Sequence, residues 1–420
     1  MPLPDAALSR LAIDGGRPVR SAPMPDWTAA TGRRFGAEEK RALARVIDSG
    51  RLWRVGGTEV SALEEEFAHL IGSRFAVAST SGTSALHLAT AAVDPDPGDE
   101  MVLPAITDWG TAAAIVATNA VPVFADVDPL TACMTLESVV RVITPRTRAV
   151  IVVHMFGGAA DVDAIVAYCR PRGITVIEDC AQAYLTVPPG GEGLAGTRGD
   201  IGCFSLQQAK HISAGDGGLT VTDDPAIAER MRLFADKGWP RETGVRSSAL
   251  FGMNYRMNEL TGAVARCQLQ KLPQVIEDRR SIGRRLLAGL DDLEGLRLAS
   301  NATPGSHTFW FFPLFLDTQR LGIDYRTFTD AMTAEGVPAG GYLGVPLYAM
   351  PPLMEERVYG STGFPLRRPD GSARYHWGDC PVAERLVGSD LVVVPANENL
   401  TEQDVDDTIA AVRKVHNAYA

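Results

Sequence analysis

Cysteines are few and scattered: Cys133, Cys169, Cys180, Cys203, Cys267 and Cys380 stand singly in a chain of 420 residues. No CxxC pair and no Cys/His cluster at metal-ligand spacing occurs, so no metal and no disulfide framework is expected, and the thiols should be reduced and mostly buried. Long apolar runs are lacking as well. None approaches the roughly 18 residues of a membrane span, and the opening Met1-Pro2-Leu3-Pro4-Asp5 has neither the basic flank nor the apolar run of a signal peptide. A cytoplasmic protein without a membrane partner is expected. Positive charge is also in short supply, with 40 Lys and Arg against 51 Asp and Glu and a net charge of −11. That balance opposes attraction to nucleic acid, and Arg33-Arg34 and Arg279-Arg280 read as solvated helix faces. Repeats and low-complexity tracts are missing too.

What is present is an ordinary globular composition, 45% hydrophobic and 22% charged, in a chain long enough for one large domain and a smaller companion. Helical periodicity covers 37–49 and 59–71. From there short apolar runs alternate with helical segments: strands over 75–78, 100–103, 122–127, 149–154, 174–179, 200–206 and 218–222, with helices from Ser84, from Thr111 and over 162–169. Continuous apolar strands separated by helices predict an α/β fold with a mainly parallel sheet covered on both faces. A long helical pattern begins at Met257, and Pro273 should kink or break it. Beyond Leu290 come an apolar run over 309–315, a helix near 325–335, an apolar run over 391–395, and a last helix starting at Thr401 with Asp404 completing its cap. The expected division is a leader, 1–35, a large domain, 36–290, and a small α/β domain, 291–420.

The chemistry centres on Lys210. It follows a buried strand and precedes the cluster Gly215-Asp216-Gly217-Gly218, which holds its amine near a phosphate-sized space. Asp179 closes another buried strand upstream. A strand-end Asp and an imine-forming Lys are the minimum that a pyridoxal phosphate enzyme needs, because the Asp keeps the pyridine nitrogen protonated and the ring then accepts electrons. Each residue alone is more often a solvated charge or a helix cap. Ser79-Thr80-Ser81-Gly82-Thr83-Ser84 follows a strand and opens a helix, an arrangement that binds phosphate but also serves as a plain cap. Ser205 could reach the same phosphate, while Asn254, before the long helix, would by default be a turn or a cap.

The chain resembles the DegT/DnrJ/EryC1/StrS aminotransferases over nearly its whole length. The resemblance is carried by Gly15-Gly16-Arg17-Pro18, Thr80 to Leu86, Val153-His154-Met155-Phe156-Gly157, Glu178 to Gln182, Gly199 to Ser205, the Lys210 segment and Asn254 to Glu259. It implies the fold-type I architecture of pyridoxal 5'-phosphate enzymes and a homodimer with shared active sites. Lys210 would be the Schiff-base lysine and proton shuttle, Asp179 the partner of the pyridinium nitrogen, and Gln182 the neighbour of the cofactor's phenolic oxygen. Ser81, Gly82, Thr83 and Ser205 would hold the phosphate, with Asn254 contacting it from the neighbouring subunit.

One departure stands out. The family places an aromatic residue after the Thr of a Pro-x-x-Thr segment to stack on the cofactor ring, but here Thr107 is followed by Asp108 and then Trp109. Either Trp109 stacks by a one-residue shift, or Asp108 faces the substrate. The expected reaction is transfer of an amino group from glutamine or glutamate to a keto-cyclitol or ketosugar, in aminocyclitol or amino-sugar antibiotic biosynthesis, with a nucleotide-linked ketosugar as the alternative acceptor. A cofactor-binding regulatory protein without turnover is the remaining alternative, disfavoured by the intact Lys210, Asp179 and Gln182. Trp53, Arg54, His307 and Tyr342 are candidate substrate contacts.

Overall fold

The computed structural model describes residues 10–303, 305–368 and 370–420, so the opening pentapeptide lies outside the described residues. Seven strands form one sheet in the order β1-β7-β6-β5-β4-β2-β3: β1 Phe75–Ser79, β2 Glu100–Pro104, β3 Val121–Ala125, β4 Thr147–Val153, β5 Thr175–Asp179, β6 Ile201–Ser205 and β7 Gly218–Thr222. β3, β2, β4, β5 and β6 run parallel, and β7 is antiparallel to both β6 and β1. Every residue of β2, β6 and β7 is buried, as expected of strands covered on both faces. The sheet is the mainly parallel, helix-covered layer that the apolar runs predict. Its carboxyl edge collects Ser79, Pro104, Asp179 and Ser205, the last residues of β1, β2, β5 and β6. Open α/β sheets bind ligands at that edge.

Helix Glu259–Leu290 runs unbroken through Pro273. The expected break does not occur, because Leu272, Val275 and Ile276 on either side of the proline are buried and packing outweighs the lost hydrogen bond. The far end of this helix joins a second core, in which Leu286, Phe312, Leu314, Phe328 and Val412 pack together. Its sheet is antiparallel in the order β10-β9-β8, with β8 Leu296–Leu298, β9 Phe311–Leu316 and β10 Leu391–Pro395. Helix Glu402–Tyr419 opens with the capping box that the sequence predicts at Thr401 and Asp404. Trp310, Phe315 and Tyr348 join the core of the large sheet, so the cavity between the two sheets has walls from both. Among the described residues no helix is long and apolar enough to cross a membrane.

Candidate active site

A cavity of about 480 Å³ opens at the carboxyl edge of the large sheet and is lined by Lys210, Asp179, Ser81, Gly82, Thr83, Asp108, Ser205, Asp216, Trp310 and Tyr342, among others. Asp179 is 4% exposed; its two oxygens accept from the Thr111 hydroxyl at 3.1 Å and the Ala181 N–H at 3.1 Å. Burial pushes its carboxyl up, against the pull of the Ala181 N–H, Lys210 and Thr111. Burial also pushes the Lys210 amine down, opposed by Asp179 and Asp108. The pair therefore lines one cavity, each group perturbed towards its neutral form, as at sites of proton chemistry.

The start of helix Gly82–Val93 also lines the cavity. Ser81 caps it by accepting from the Ser84 N–H at 3.0 Å, and the N–H groups of its first turn have no intrahelical carbonyl to meet. A Cβ on Gly82 would lie 2.7 Å from the Ser205 Cβ, so only glycine leaves this cradle open while β6 and the helix stay in contact. Backbone donors, two nearby hydroxyls and a positive helix end suit a phosphate. Asp108 sits on the rim and caps helix Trp109–Ala117 by accepting from the Gly110 N–H at 2.8 Å. Burial holds the Tyr342 phenol in its protonated form, and its hydroxyl accepts from the Gln182 amide at 2.9 Å.

Several sequence candidates lie elsewhere. Trp109 does not line the cavity; as the first residue after the Asp108 cap it turns into the large core, which leaves Asp108 as the one facing the open space. Gln182 stands one layer back, accepting from the Phe156 N–H at 2.9 Å and orienting Tyr342. His307 is 1% exposed and accepts from the Phe309 N–H at 3.0 Å; burial holds its imidazole down to about 3, so it is a neutral core group and not a surface for substrate. Arg54 pairs with Glu64 at 2.5 Å, and the half-exposed Trp53 faces the guanidinium groups of Arg241 and Arg256, away from Lys210 in its own chain. Asn254 is exposed, bridged to Asp236, and outside its own chain's cavity.

Sequence reasoning missed Trp310, Trp27, Thr111 and the carboxylate of Asp216. Trp27 and Arg33 come from the leader, and Arg33 donates to the Lys210 carbonyl at 2.6 Å, so that segment builds the site instead of preceding it. The cysteines are free, five of them buried and Cys267 partly so. A larger cavity of about 830 Å³ lies beside edge strand β3, lined by Arg146, Arg367, Arg368 and Arg374 but by no lysine and no cysteine. Without an imine-forming amine or nucleophile it does not rival the Lys210 site. Buried His154, Glu178 and Cys180 have metal-ligand spacing, yet their polar atoms already bind one another and the backbone.

A mainly parallel α/β sheet with a buried Asp179, a half-buried Lys210 and a helix start around one cavity is the architecture of an α/β transferase. The description "DegT/DnrJ/EryC1/StrS aminotransferase family" fits residues 34–413, and the chain belongs to that family and is an aminotransferase. The L-glutamine:2-deoxy-scyllo-inosose aminotransferase of Streptomyces kanamyceticus is 35% identical over 414 residues, 94% of this chain and 91% of that protein. A protein of the same name from Streptoalloteichus tenebrarius is 34% identical, covering 96% and 97%. The solved structure of the aminotransferase TlmJ from Streptoalloteichus hindustanus is similar with a TM-score of 0.79 at 31% identity, covering 91% of this chain and 97% of that one.

Proposed function

We propose that this aminotransferase holds pyridoxal phosphate at Lys210 and moves an amino group from glutamine or glutamate to a keto-cyclitol. The observation that carries the reading is the placement of Lys210 and Asp179 in one cavity with the helix start at Gly82. The residues fit the cofactor: a cradle that a Cβ on Gly82 would fill takes the phosphate, and Asp179, which accepts from two donors, has acceptor capacity to spare. Bound there, the cofactor would supply a carbonyl for amines and a protonated ring that withdraws electrons.

The chain's own residues do the rest. Lys210 gives the covalent attachment and, when free, moves the proton at its Nζ. Asp179 would hold a proton on the ring nitrogen of the bound cofactor, and Thr111 orients the carboxylate. Gln182 fixes the Tyr342 hydroxyl at the cavity wall, and Trp27 and Phe311 add aromatic lining. Lys210 is the one cation among the described lining residues, against Asp108, Asp179 and Asp216. A diphosphate meets no arginine there, which favours a neutral cyclic ketone over a nucleotide-linked sugar and agrees with the names of the two curated relatives. We place the working unit as a homodimer, with exposed Asn254, Trp53 and Phe251 on the surface that meets the second copy.

The test is the visible spectrum of the purified protein with pyridoxal phosphate, before and after addition of glutamine or glutamate. A band that needs Lys210, disappears with one donor and returns with a keto-cyclitol is expected; Lys210→Ala should lose the band and at least about 10³-fold in transfer. No Lys210-dependent band would end the reading. A band that no donor changes would favour binding without turnover.

A further inference from the structure

Trp310 touches the Lys210 segment twice. Its indole N–H donates to the Ala209 carbonyl at 2.7 Å, and the Lys210 Nζ lies over its ring face, 4.2 Å from the centroid. The lysine backbone is held on both sides as well: its N–H donates to the Gln207 carbonyl at 2.9 Å and its carbonyl accepts from Arg33 at 2.6 Å. Trp310 is 8% exposed, and Arg279 donates to its carbonyl at 3.0 Å, so the indole is fixed from behind. With the backbone pinned, the lysine side chain is the part left to move. Asp179 and Asp108 act on its charge through space.

A lysine that joins and leaves a bound group must be caught each time it comes free. An aromatic face within about 6 Å attracts an ammonium through the ring quadrupole, most strongly where water is excluded. We propose that Trp310 is a positioning residue: its indole face holds the free Lys210 ammonium on the cavity wall, and its N–H fixes the preceding carbonyl so that the amine returns to one place. The inference rests on Lys210 as the reacting amine of the proposed function.

The test uses the cofactor-free protein and reads the pH dependence of Lys210 acylation by acetic anhydride, followed by peptide mass spectrometry, in wild type, Trp310→Phe and Trp310→Met. The midpoint should fall by about 0.5–1 pH unit in Trp310→Met, a roughly 3–10-fold change in the ammonium-to-amine ratio. Trp310→Phe, which keeps a ring but loses the N–H, should retain most of the wild-type midpoint. Equal midpoints in wild type and Trp310→Met would overturn the proposal, and so would a shift of the same size in both variants, because the ring face would then carry nothing. Should Trp310→Met fail to fold, wild type supplies a second reading. Its indole fluorescence should titrate at the Lys210 midpoint and lose that transition in Lys210→Met; an unchanged titration in Lys210→Met would refute the contact. Neither reading needs pyridoxal phosphate, so failure of the Trp310–Lys210 contact and failure of the cofactor reading, shown by a missing visible band, are told apart.

Discussion

Glu178 and Asp179 are neighbours on β5, both buried carboxylates, and they face opposite sides of the sheet with opposite surroundings. Glu178 meets His154 Nε2 at 2.9 Å and accepts from the N–H groups of Gly196, Arg198 and Gly199 at 2.9, 2.7 and 2.7 Å. Burial alone would raise its carboxyl, but His154 and those backbone donors outweigh burial and hold it below the ordinary range. Asp179 has two donors where Glu178 has four, and there burial wins. One carboxylate is saturated and pins a loop. The other lines a cavity with acceptor capacity left over, and that spare capacity is what the proposed cofactor contact would use.

The sharpest way to break the contrast is Asp179→Asn. Removing the charge that should hold a proton on the cofactor ring is expected to slow the donor half-reaction by about 10²–10⁴-fold, read by single-turnover absorbance. The same change should raise the stability of the cofactor-free protein by about 0.5–2 kcal/mol, because it deletes an under-solvated charge. Denaturant unfolding that shows lower stability would mean that Asp179 is structural after all. Glu178→Gln should do the reverse, losing about 3 kcal/mol of stability as three backbone donors and His154 face an amide, with a smaller effect on the half-reaction.

Acid sharpens the comparison further. Glu178, depressed in the folded state, contributes stability that is present above its unfolded value near about 4.3 and lost as pH falls through its folded value. Asp179, raised in the folded state, is protonated first on folding and gains stability as pH falls towards its unfolded value. His307, held to about 3 by burial, binds its proton only in the unfolded chain between there and about 6.5, so it too favours unfolding as pH drops. In the cofactor-free protein, Glu178→Gln should therefore flatten the acid limb of a stability–pH curve and Asp179→Asn should steepen it. Parallel limbs for the two variants would erase the distinction.

The same contrast separates what was legible in the sequence from what was not. Strands buried on both faces write themselves as unbroken apolar runs, so β7 and β10 fall at their expected bounds and the strand end at Asp179 could be found, while the strand expected over 200–206 is one residue shorter at each end. β8 has three residues and carries no periodicity to read. Pro273 signals a break from local chemistry, but burial on either side decides otherwise. In the site, Lys210 and Asp179 stand out as charges beside apolar runs. Trp310 is hidden because Phe309, Trp310, Phe311 and Phe312 together read as core, and only folding turns one of those rings towards an amine. His307 failed in the other sense: a polar letter whose burial at 1% exposure no local pattern announces.

Thr111 offers the smallest and most discriminating change, because it touches Asp179 and lies far from the donors of Glu178. Thr111→Val keeps the shape, removes the hydroxyl 3.1 Å from Asp179 Oδ2, and leaves Thr107 without its 2.9 Å partner. One hydrogen bond to a carboxylate at about 1 kcal/mol corresponds to roughly fivefold in rate. The donor half-reaction should slow by about that factor. Its acidic limb should move to higher pH, since the lost donor favoured the ionised carboxyl. A rate loss with no movement of that limb would show that Thr111 acts by packing alone, and the reserve of acceptor capacity on Asp179 would then owe nothing to how the hydroxyl orients it.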